Sequence, residues 1–541
     1  MQITTLPTLA KSLFLLTAPL ALVGAVHASD PAAPPSPRTA DPKPAAAENR
    51  FDVHEYRVLG NTVLPIRDIE TVLYPLLGDQ KTLADVETAR AALEKTYHDR
   101  GFGTVFVDIP EQDVTDKIVR LKATEGRLHE VHIAGARYFS ERKILAAVPA
   151  AATGTVPNLP ALQQQLGAVN LQTADRAVVP ILKAGPLPGT VDLALNVNDH
   201  LPLHGSVEFD NQNTPNTKPL RSTVSLSYNN LFEQFDSLSA QYQVAPQEVS
   251  QVNVFAANYA WGALQNGLRP SVFFINSNSN VPTVGTIGVL GKGQIIGTRL
   301  GYPLSDAPGT PQLLTLGADY KHFRETIGLA SSPAVVTPIS YVNLSLAYAG
   351  NWSSDSLQGS LGTSANFGPR GLPNDSSAFA NKRFKGQPNY FYLKLDGSLV
   401  AHLPKGFQLI LRADGQVAVE PLITNEDYSI AGADGVRGYL EAEVLADSGL
   451  KGSVQLQSPV AQWHASSLGD IFVFYDVARA DLIDPLPGEP GSTVLRSWGA
   501  GLNLLPGSWI NGVLTWADPL LNGPNTRRGE SRILFVVRGS F

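Results

Sequence analysis

The chain has 541 residues, of which 16% are charged, and its 41 basic and 48 acidic residues give a formal net charge of −7. This balance provides no basic surface for nucleic acid, so nucleic-acid binding is not expected. The absence of cysteine excludes disulfides, thiolate catalysis and cysteine-ligated metal sites.

The first long apolar run lies at the N-terminus. Lys11 precedes the apolar stretch 12–26, and Val26 and Ala28 provide small residues at positions −3 and −1 of a cleavage site. The stretch is too short for a membrane anchor, so it predicts a signal peptide over residues 1–28 and export of the mature chain. Residues 29–49 are rich in proline and alanine, which predicts an extended linker.

Residues 50–200 mix strand and helix patterns in the order strand, helix, helix, strand, strand. The order occurs twice and predicts two small α+β domains, at 50–126 and 127–200. Thr82 followed by Asp85 is typical of a capping box at the start of a helix. The first domain is predicted to contain a strand at 53–58, helices at 66–77 and 82–97, and strands at 104–109 and 117–123. The second is predicted to contain a strand at 128–133, helices at 140–148 and 159–170, and strands at 177–183 and 189–197.

From residue 201 to residue 541 the helical pattern disappears and apolar residues alternate with polar ones. Leu238, Ala240 and Tyr242, for example, are separated by Ser239 and Gln241. A soluble sandwich also alternates, but the pattern recurs over about 340 residues, more than one sandwich core accommodates. We therefore predict a transmembrane β-barrel of about 16 antiparallel strands, apolar toward lipid and polar toward the lumen.

The last predicted strand is amphipathic and ends in Phe541. Outer-membrane barrels commonly end in such an aromatic residue, so Phe541 is a candidate barrel signal.

The barrel half contains the tetrapeptide Val436-Arg437-Gly438-Tyr439. It resembles the signature of the long inward-folded loop shared by barrels that carry POTRA (polypeptide-transport-associated) domains, and the two α+β units resemble such domains. With the signal peptide, the whole mature chain resembles the two-partner secretion transporters of TpsB type, the ShlB/FhaC/HecB haemolysin secretion/activation family.

The resemblance implies a partner for Arg437 in a Phe-x-Asp-x-Gly motif, here Phe474 and Asp476, with Ala478 in place of the glycine. Alternation along this strand independently directs Asp476 into the lumen, where a guanidinium can pair with a carboxylate in bidentate fashion. Two separately solvated charges in a wide pore remain the alternative. A second departure is Ala431, at a position where the family tends to have glycine.

Members of this family often carry an N-terminal helix that plugs the pore. Residues 30–48 contain too many prolines to form one. The plug is therefore absent, or limited to a stub at 45–50.

The resemblance further implies an outer-membrane transporter, with its POTRA domains in the periplasm, that secretes a large TpsA-type exoprotein. Gly291-Lys292-Gly293 lacks the ending of a nucleotide-binding P-loop, so export is expected to proceed without nucleotide hydrolysis. The other expected partners are outer-membrane lipid, lipopolysaccharide and the barrel assembly machinery. No catalytic residue, metal site or cofactor is expected.

An assembly factor of the BamA or TamA type is the main alternative, since it shares the arginine motif but usually carries more POTRA domains. A passive porin would have no use for the soluble half. An outer-membrane enzyme would need a nucleophile beside a base, and no Gly-x-Ser-x-Gly occurs. The exported partner could be a haemolysin, an adhesin or a contact-dependent toxin.

Overall fold

The computed structural model describes residues 49–541 except 115, 265, 280, 285–286, 290, 306, 308, 328–334, 465–466, 506 and 508. The predicted signal peptide at 1–28, all but the last residue of the predicted linker at 29–49, and most of the possible plug stub at 45–50 lie outside the described residues. The chain divides between Leu201 and Pro202 into two compact units. Among the described residues, no helix is both long and apolar enough to cross a membrane.

We call the first of the two units, which ends at Leu201, the soluble unit. Its first part is a three-stranded sheet with two helices, and the helix α2 (Leu83–Asp99) begins at the predicted capping box. The Thr82 hydroxyl accepts from the Asp85 amide at 3.4 Å, and the Asp85 carboxylate accepts from the Thr82 amide at 2.8 Å. The Thr82 amide, together with the Thr82 hydroxyl that also donates to this carboxylate, lowers the pKa of the Asp85 carboxyl below its ordinary value. The elements are β1 (Phe51–Val53), β2 (Glu55–Leu59), α1 (Ile66–Leu73), β3 (Gly78–Lys81), α2 (Leu83–Asp99), β4 (Val105–Asp108) and β5 (Ile118–Glu125).

In this part, β2 pairs with β5 in parallel and β5 pairs with β4 in antiparallel orientation. Leu93, Tyr97 and Leu121 are fully buried between the helices and the sheet. The small sheet formed by β1 and β3 was not predicted, because strands of three and four residues are too short to show a period. Pro75 ends α1 in a 3-10 turn, so the predicted helix 66–77 is divided in two.

The second part repeats this arrangement with β6 (Arg127–Ala134), β7 (Arg176–Ala184) and β8 (Thr190–Asp199). Its sheet has the order β6-β8-β7, and β6 pairs with β8 in parallel orientation. The predicted helix 140–148 is shorter than expected, because a 3-10 turn begins at Pro149 after α3. Its elements are β6 (Arg127–Ala134), α3 (Glu141–Ala146), α4 (Leu159–Leu171), β7 (Arg176–Ala184) and β8 (Thr190–Asp199). The prediction of small α+β units is thus confirmed.

The second unit is a closed antiparallel barrel of 16 strands, which confirms the predicted fold class. Strands β24 (Ser448–Gln457) and β25 (Ala461–His464) are two segments of one strand, since both pair with β26 (Ser467–Asp481). The barrel segments up to β18 are β9 (Leu203–Asp210), β10 (Arg221–Leu231), β11 (Asp236–Val244), β12 (Asn253–Ala260), β13 (Arg269–Ser277), β16 (Gly293–Ser305), β17 (Gln312–Ile327) and β18 (Val335–Ser353); β14 (Val281–Val284) and β15 (Ile287–Val289) form a separate hairpin between β13 and β16. The remaining segments are β19 (Leu357–Phe367), β20 (Phe391–His402), β21 (Gln408–Ala418), β24 (Ser448–Gln457), β25 (Ala461–His464), β26 (Ser467–Asp481), β27 (Ser492–Leu505), β28 (Ile510–Pro519) and β29 (Arg532–Ser540).

The strands are joined by short turns at one end of the barrel and by longer loops at the other. Such barrels have short periplasmic turns and long extracellular loops, which orients the barrel in the membrane. We call the second end the loop end. One connection at the loop end, residues 368–390, contains α5 (Ser376–Lys382). A second, residues 419–447, contains β22 (Tyr428–Ser429) and β23 (Leu445–Ala446), and we call it the inward loop. A third, residues 520–531, is called the closing loop.

Apolar side chains cover the outside of the barrel at every second strand position. On β26, Ile471, Val473 and Tyr475 are exposed, whereas Asp476 is completely buried. The outer surface is therefore a lipid-facing belt. Exposed aromatic side chains lie near the short-turn end, as expected for a membrane interface: Phe232, Trp261, Trp352, Trp509 and Phe541.

Candidate functional site

The inward loop folds back into the barrel and packs on the inner wall. Gly438 has φ +97° and Gly432 has φ +110°, values that glycine adopts without strain. A Cβ on Gly432 would lie 2.1 Å from a carboxylate oxygen of Glu441, so the Glu441 side chain would have to move to make room for one. The packed cluster contains the loop residues Tyr428, Ile430, Ala431, Val436, Tyr439, Val444 and Ala446 and the wall residues Ala478, Ala480 and Leu495.

Both departures from the family pattern lie inside this cluster. Ala431 is 4% exposed and Ala478 is 2% exposed. Val436, from the tetrapeptide, is completely buried in the same cluster. The two alanine methyl groups therefore contribute apolar contacts between the loop and the wall, and neither keeps the loop away from β26.

Arg437 contacts Asp476 through two parallel side-chain hydrogen bonds. Its Nε and Nη2 donate to the two carboxylate oxygens, each at 2.8 Å, and its backbone amide donates to the same carboxylate at 3.1 Å. The other guanidinium donors reach Gln455 and Ser453, both at 3.0 Å, and the guanidinium lies 3.4 Å from the centroid of the Phe474 ring. The guanidinium thus combines a bidentate ion pair, neutral hydrogen bonds and a cation–π contact on adjacent strands.

The Asp476 side chain is 0% exposed and the Arg437 side chain is 11% exposed. A buried charge that loses its partner costs several kcal/mol, so the two groups constrain each other strongly. The arrangement fixes the tip of the loop against β24 and β26.

Tyr439 fixes the loop in a second direction, toward the closing loop. Its hydroxyl donates to the carbonyl of Leu521 at 2.7 Å and lies 3.1 Å from the carbonyl of Arg496. The ring is 1% exposed and belongs to the apolar cluster. Phe541, the proposed barrel signal, lies on the outer surface at the short-turn end, where its backbone exchanges two hydrogen bonds with Gly205.

A buried carboxylate that the sequence did not reveal lies at the start of the inward loop. Glu426 accepts from the ammonium of Lys321 at 2.5 Å, from the hydroxyl of Tyr392 at 2.7 Å and from the hydroxyl of Tyr341. The Glu426 side chain is 2% exposed and that of Lys321 is 9% exposed. This carboxylate connects the loop to β17, β18 and β20. In the sequence, the alternation along β17 indicates that the Lys321 side chain points into the barrel, but no local pattern indicates which residue is its partner.

Asp447, at the other end of the inward loop, is also completely buried. Its carboxylate accepts from the amides of Leu422 and Ile483 at 2.5 and 2.7 Å, and lies 3.5 Å from the guanidinium of Arg383. The three partners belong to three different segments of the loop end. Asp447 therefore joins both ends of the inward loop to its neighbours.

An apolar cluster occupies the barrel interior beside these polar contacts. It includes inward-facing wall residues together with Phe379 of α5 and two residues of the inward loop, Leu422 and Ile423. Its wall members include Phe273, Ile275, Ile295, Phe323, Ile339, Tyr341 and Tyr392. Among the described residues, the barrel interior beside the inward loop therefore contains packed apolar side chains as well as polar ones.

One group of side chains among the described residues could approach a metal ion. Potential ligand atoms of Asp52, His54 and Asp79 lie within 4.8 Å of one another on the surface of the first domain. The Asp52 carboxylate already pairs with the ammonium of Lys117 at 3.0 Å, and the imidazole and the Asp79 side chain are mostly exposed. Exposed groups of this kind are common without a metal, and we assign no site here.

Comparison with protein families gives two matches along the chain. The model of the ShlB-type POTRA domain matches residues 51–126, and the model of the haemolysin secretion/activation protein ShlB/FhaC/HecB matches residues 189–504. The second match covers more than half of the chain and includes the inward loop and the strand that carries Asp476.

The curated relatives are outer membrane transporters named CdiB. That of Dickeya dadantii (strain 3937) is 29% identical over 182 residues, which are 34% of this chain and 32% of the relative. That of Escherichia coli O6:K15:H31 (strain 536 / UPEC) is 25% identical over 199 residues, 36% of this chain and 33% of the relative. The chain thus matches about a third of the length of these curated relatives.

Among solved structures, CdiB from Escherichia coli has a TM-score of 0.57 at 19% identity and covers 93% of either chain. BamA from Haemophilus ducreyi lacking POTRA domains 1–3 also has a TM-score of 0.57, at 12% identity, covering 91% of this chain and 100% of that one. At these identities the two likenesses show the fold alone. The distinction between the two kinds of protein rests on the family match.

Proposed function

Because the chain belongs to the haemolysin secretion/activation family ShlB/FhaC/HecB, we propose that it secretes a large TpsA-type exoprotein through the pore of its barrel. The observation that carries this proposal is the family match across the barrel, including the inward loop with Arg437 on Asp476. The barrel lies in the outer membrane and the POTRA domains lie in the periplasm, as in this family.

The proposed reaction is movement of an unfolded chain from the periplasm to the cell surface. An exposed edge strand of a POTRA sheet can pair with an arriving extended segment through backbone hydrogen bonds, which depend little on sequence. The sequence contains no P-loop, so the driving force comes from folding of the exoprotein outside the cell, which prevents its return. The belt of apolar side chains holds the barrel in lipid, and the barrel assembly machinery inserts it there.

Export requires the inward loop to leave the pore. The loop is held by the ion pair of Arg437 and Asp476 and by the carboxylates of Glu426 and Asp447. An arriving chain would compete for the same lumen and displace the loop. The ion pair thus stabilises the closed state of the resting transporter.

The test is a secretion assay in cells that produce the transporter and its exoprotein, the candidate for which is the product of a neighbouring gene. Deleting residues 51–126 removes the first POTRA domain and should abolish secretion, while the barrel still inserts and migrates as a heat-modifiable band. Secretion at the level of the intact protein would contradict the proposal.

A second arm of the same assay changes Arg437→Ala, with Arg479→Ala as the control, since Arg479 is an exposed arginine on β26 that pairs with Asp481. The loss of the buried ion pair should free the inward loop, raise pore conductance in planar bilayers and lower secretion. The control should leave both quantities unchanged. Equal conductance and export in the two variants would show that the loop does not depend on Arg437.

One alternative is an assembly factor that inserts other barrels, because the fold that this chain shares with BamA does not by itself separate the two functions. The two functions differ in which proteins change in amount or location when this protein is missing. A transporter's loss leaves its exoprotein in the periplasm, whereas an assembly factor's loss lowers the level of many folded outer-membrane proteins. A proteomic comparison of outer membranes from cells with and without this protein separates them.

A further inference from the structure

The barrel closes along a seam, the pairing of β29 with β9, that is shorter than its neighbours. The seam contains five registered pairs, from Val536–Asp210 to Ser540–Ser206, whereas β9–β10 and β28–β29 contain eight each. Two reciprocal bonds between Gly205 and Phe541 extend it toward the short-turn end. Toward the loop end the chain leaves the ladder after Asp210, so residues 532–535 of β29 have no ladder partner in β9.

Side chains replace the missing ladder at this end of the seam. The Asn211 amide donates to the carbonyl of Ile533 at 2.8 Å, and its oxygen accepts from the amide of Phe535 at 2.9 Å. Asn213 accepts from Arg532 at 2.9 Å. The two Asn211 bonds satisfy backbone groups of β29, which would be costly to leave unpaired in a membrane.

The inward loop contacts both sides of this weakened segment. On the β9 side, the amide of Glu441 donates to the carbonyl of Asn213 at 3.0 Å. In the closing loop, which leads into β29, the amides of Asn525 and Thr526 donate to the carboxylate of Glu443, both at 2.7 Å, and the Thr526 hydroxyl donates at 2.6 Å. Within the inward loop the same carboxylate accepts from the Leu440 amide at 2.9 Å. Glu443 is 8% exposed. Two glutamates separated by one residue therefore connect the segment that follows β9 to the closing loop that precedes β29.

We propose that the inward loop holds the loop-end half of the β9–β29 seam closed, and that Glu443 is the positioning residue for this contact. This role is separate from that of Arg437, which fixes the loop to β24 and β26. Release of Glu443 would loosen the closing loop and β29, while the ion pair of Arg437 with Asp476 and the bond from Tyr439 to Leu521 remain. The inference goes beyond secretion, because it concerns closure of the barrel whether or not an exoprotein is present.

The experiment measures amide hydrogen exchange on the full chain in lipid nanodiscs without any exoprotein. Exchange of ladder amides reports the population of locally open states. Glu443→Ala should increase exchange in the seam segments 205–213 and 532–540 by about tenfold, the equilibrium factor that one hydrogen bond to a charged group is worth. Exchange in β19 and β20, on another part of the wall, should not change.

Two further variants keep the result interpretable. Asp481→Ala removes a carboxylate at the loop end of β26, one that pairs with Arg479 of the same strand, and it should leave the seam unchanged. Glu443→Gln retains one carbonyl acceptor, so it should fold even if the alanine variant does not, and should show a smaller increase in seam exchange. Unchanged seam exchange in both Glu443 variants would overturn the proposal.

A disulfide across the seam provides the rescue. The chain has no cysteine, so Glu208→Cys with Arg538→Cys, a directly opposed pair, introduces a single possible bond. Oxidation of this pair should restore seam protection in the Glu443→Ala background. If protection stays low after oxidation, or if β19 and β20 exchange faster as well, Glu443 supports the barrel in general and the proposal is wrong. Because no exoprotein is present, failure of this test leaves the secretion proposal standing, and the reverse also holds.

Discussion

The soluble unit and the barrel use the same alternation of apolar and polar residues with opposite orientation. In the soluble unit, Val119 and Leu121 of β5 are 1% and 0% exposed, whereas Arg120 between them is exposed. In the barrel, Leu316 is 55% exposed and Leu395 is 57% exposed, whereas Asp476 is 0% exposed. The reason is the solvent: apolar side chains turn away from water in the first case and toward lipid in the second.

This contrast shows what a period of two can establish. Strand β5 in the soluble unit alternates between buried and exposed positions just as the barrel strands do. Alternation therefore identifies two faces but not which face is the interior. The persistence of the pattern over the whole second half of the chain is what indicates a barrel in lipid.

The largest expected effect comes from comparing a buried ion pair of the barrel with an exposed ion pair of the soluble unit. Glu426→Ala leaves the ammonium of Lys321 buried without its partner and should destabilise the barrel by about 3–5 kcal/mol. The matched change in the soluble unit is Asp99→Ala, which breaks the exposed pair with Lys95 and should cost less than about 0.5 kcal/mol. Urea unfolding in detergent, followed by the heat-modifiable band for the barrel and by proteolysis for the soluble unit, measures both. Equal effects would mean that the Glu426 site is open to water.

A second comparison truncates leucine in each unit. Leu93→Ala creates a cavity in a packed core and should cost about 2–5 kcal/mol. Leu395→Ala leaves a gap that lipid chains can fill, so it should cost clearly less. The measurement is the urea midpoint of each unit in the full chain. A Leu395→Ala effect as large as that of Leu93→Ala would show that Leu395 packs against protein and does not face lipid.

The smallest expected effect concerns the helix cap of the soluble unit, a device that has no counterpart along the barrel strands. Thr82→Ala removes the cap of α2 and should cost about 1 kcal/mol. Thr88→Ala, an exposed threonine inside the same helix, is the control. Thermal unfolding of the soluble unit in the full chain gives the difference, and identical midpoints for the two variants would show that the cap is unimportant.

The same cap predicts the sign of a pH effect. The pKa of Asp85 is lowered in the folded state, so its contribution to stability is present above the ordinary carboxylate pKa and is lost as the pH falls through the lowered value. Thr82→Ala should therefore reduce the loss of stability on acidification. A pH dependence equal to that of the unaltered protein would contradict this.

Local features were predicted well, because each depends on residues close together in the chain. The capping box at Thr82 and Asp85 spans four residues, and the alternation along β26 is contained in one strand. The partner of Arg437 could be named only through the resemblance to a family, since 39 positions separate it from Asp476. The sequence did not indicate the role of Glu443, because its partners at 525 and 526 lie in a loop without a periodic pattern.

The amino-acid sequence by itself determined that the first half folds as soluble α+β modules and that the second half presents one apolar and one polar face along each strand. These properties follow from short-range periodicity, which repeats every two or every 3.6 residues. Only the tertiary structure decided how the barrel closes, which buried charges meet and how the inward loop reaches both edges of the seam. Those contacts join residues as far apart as Asn213 and Arg532, and they depend on strand register and closure, which no local pattern encodes.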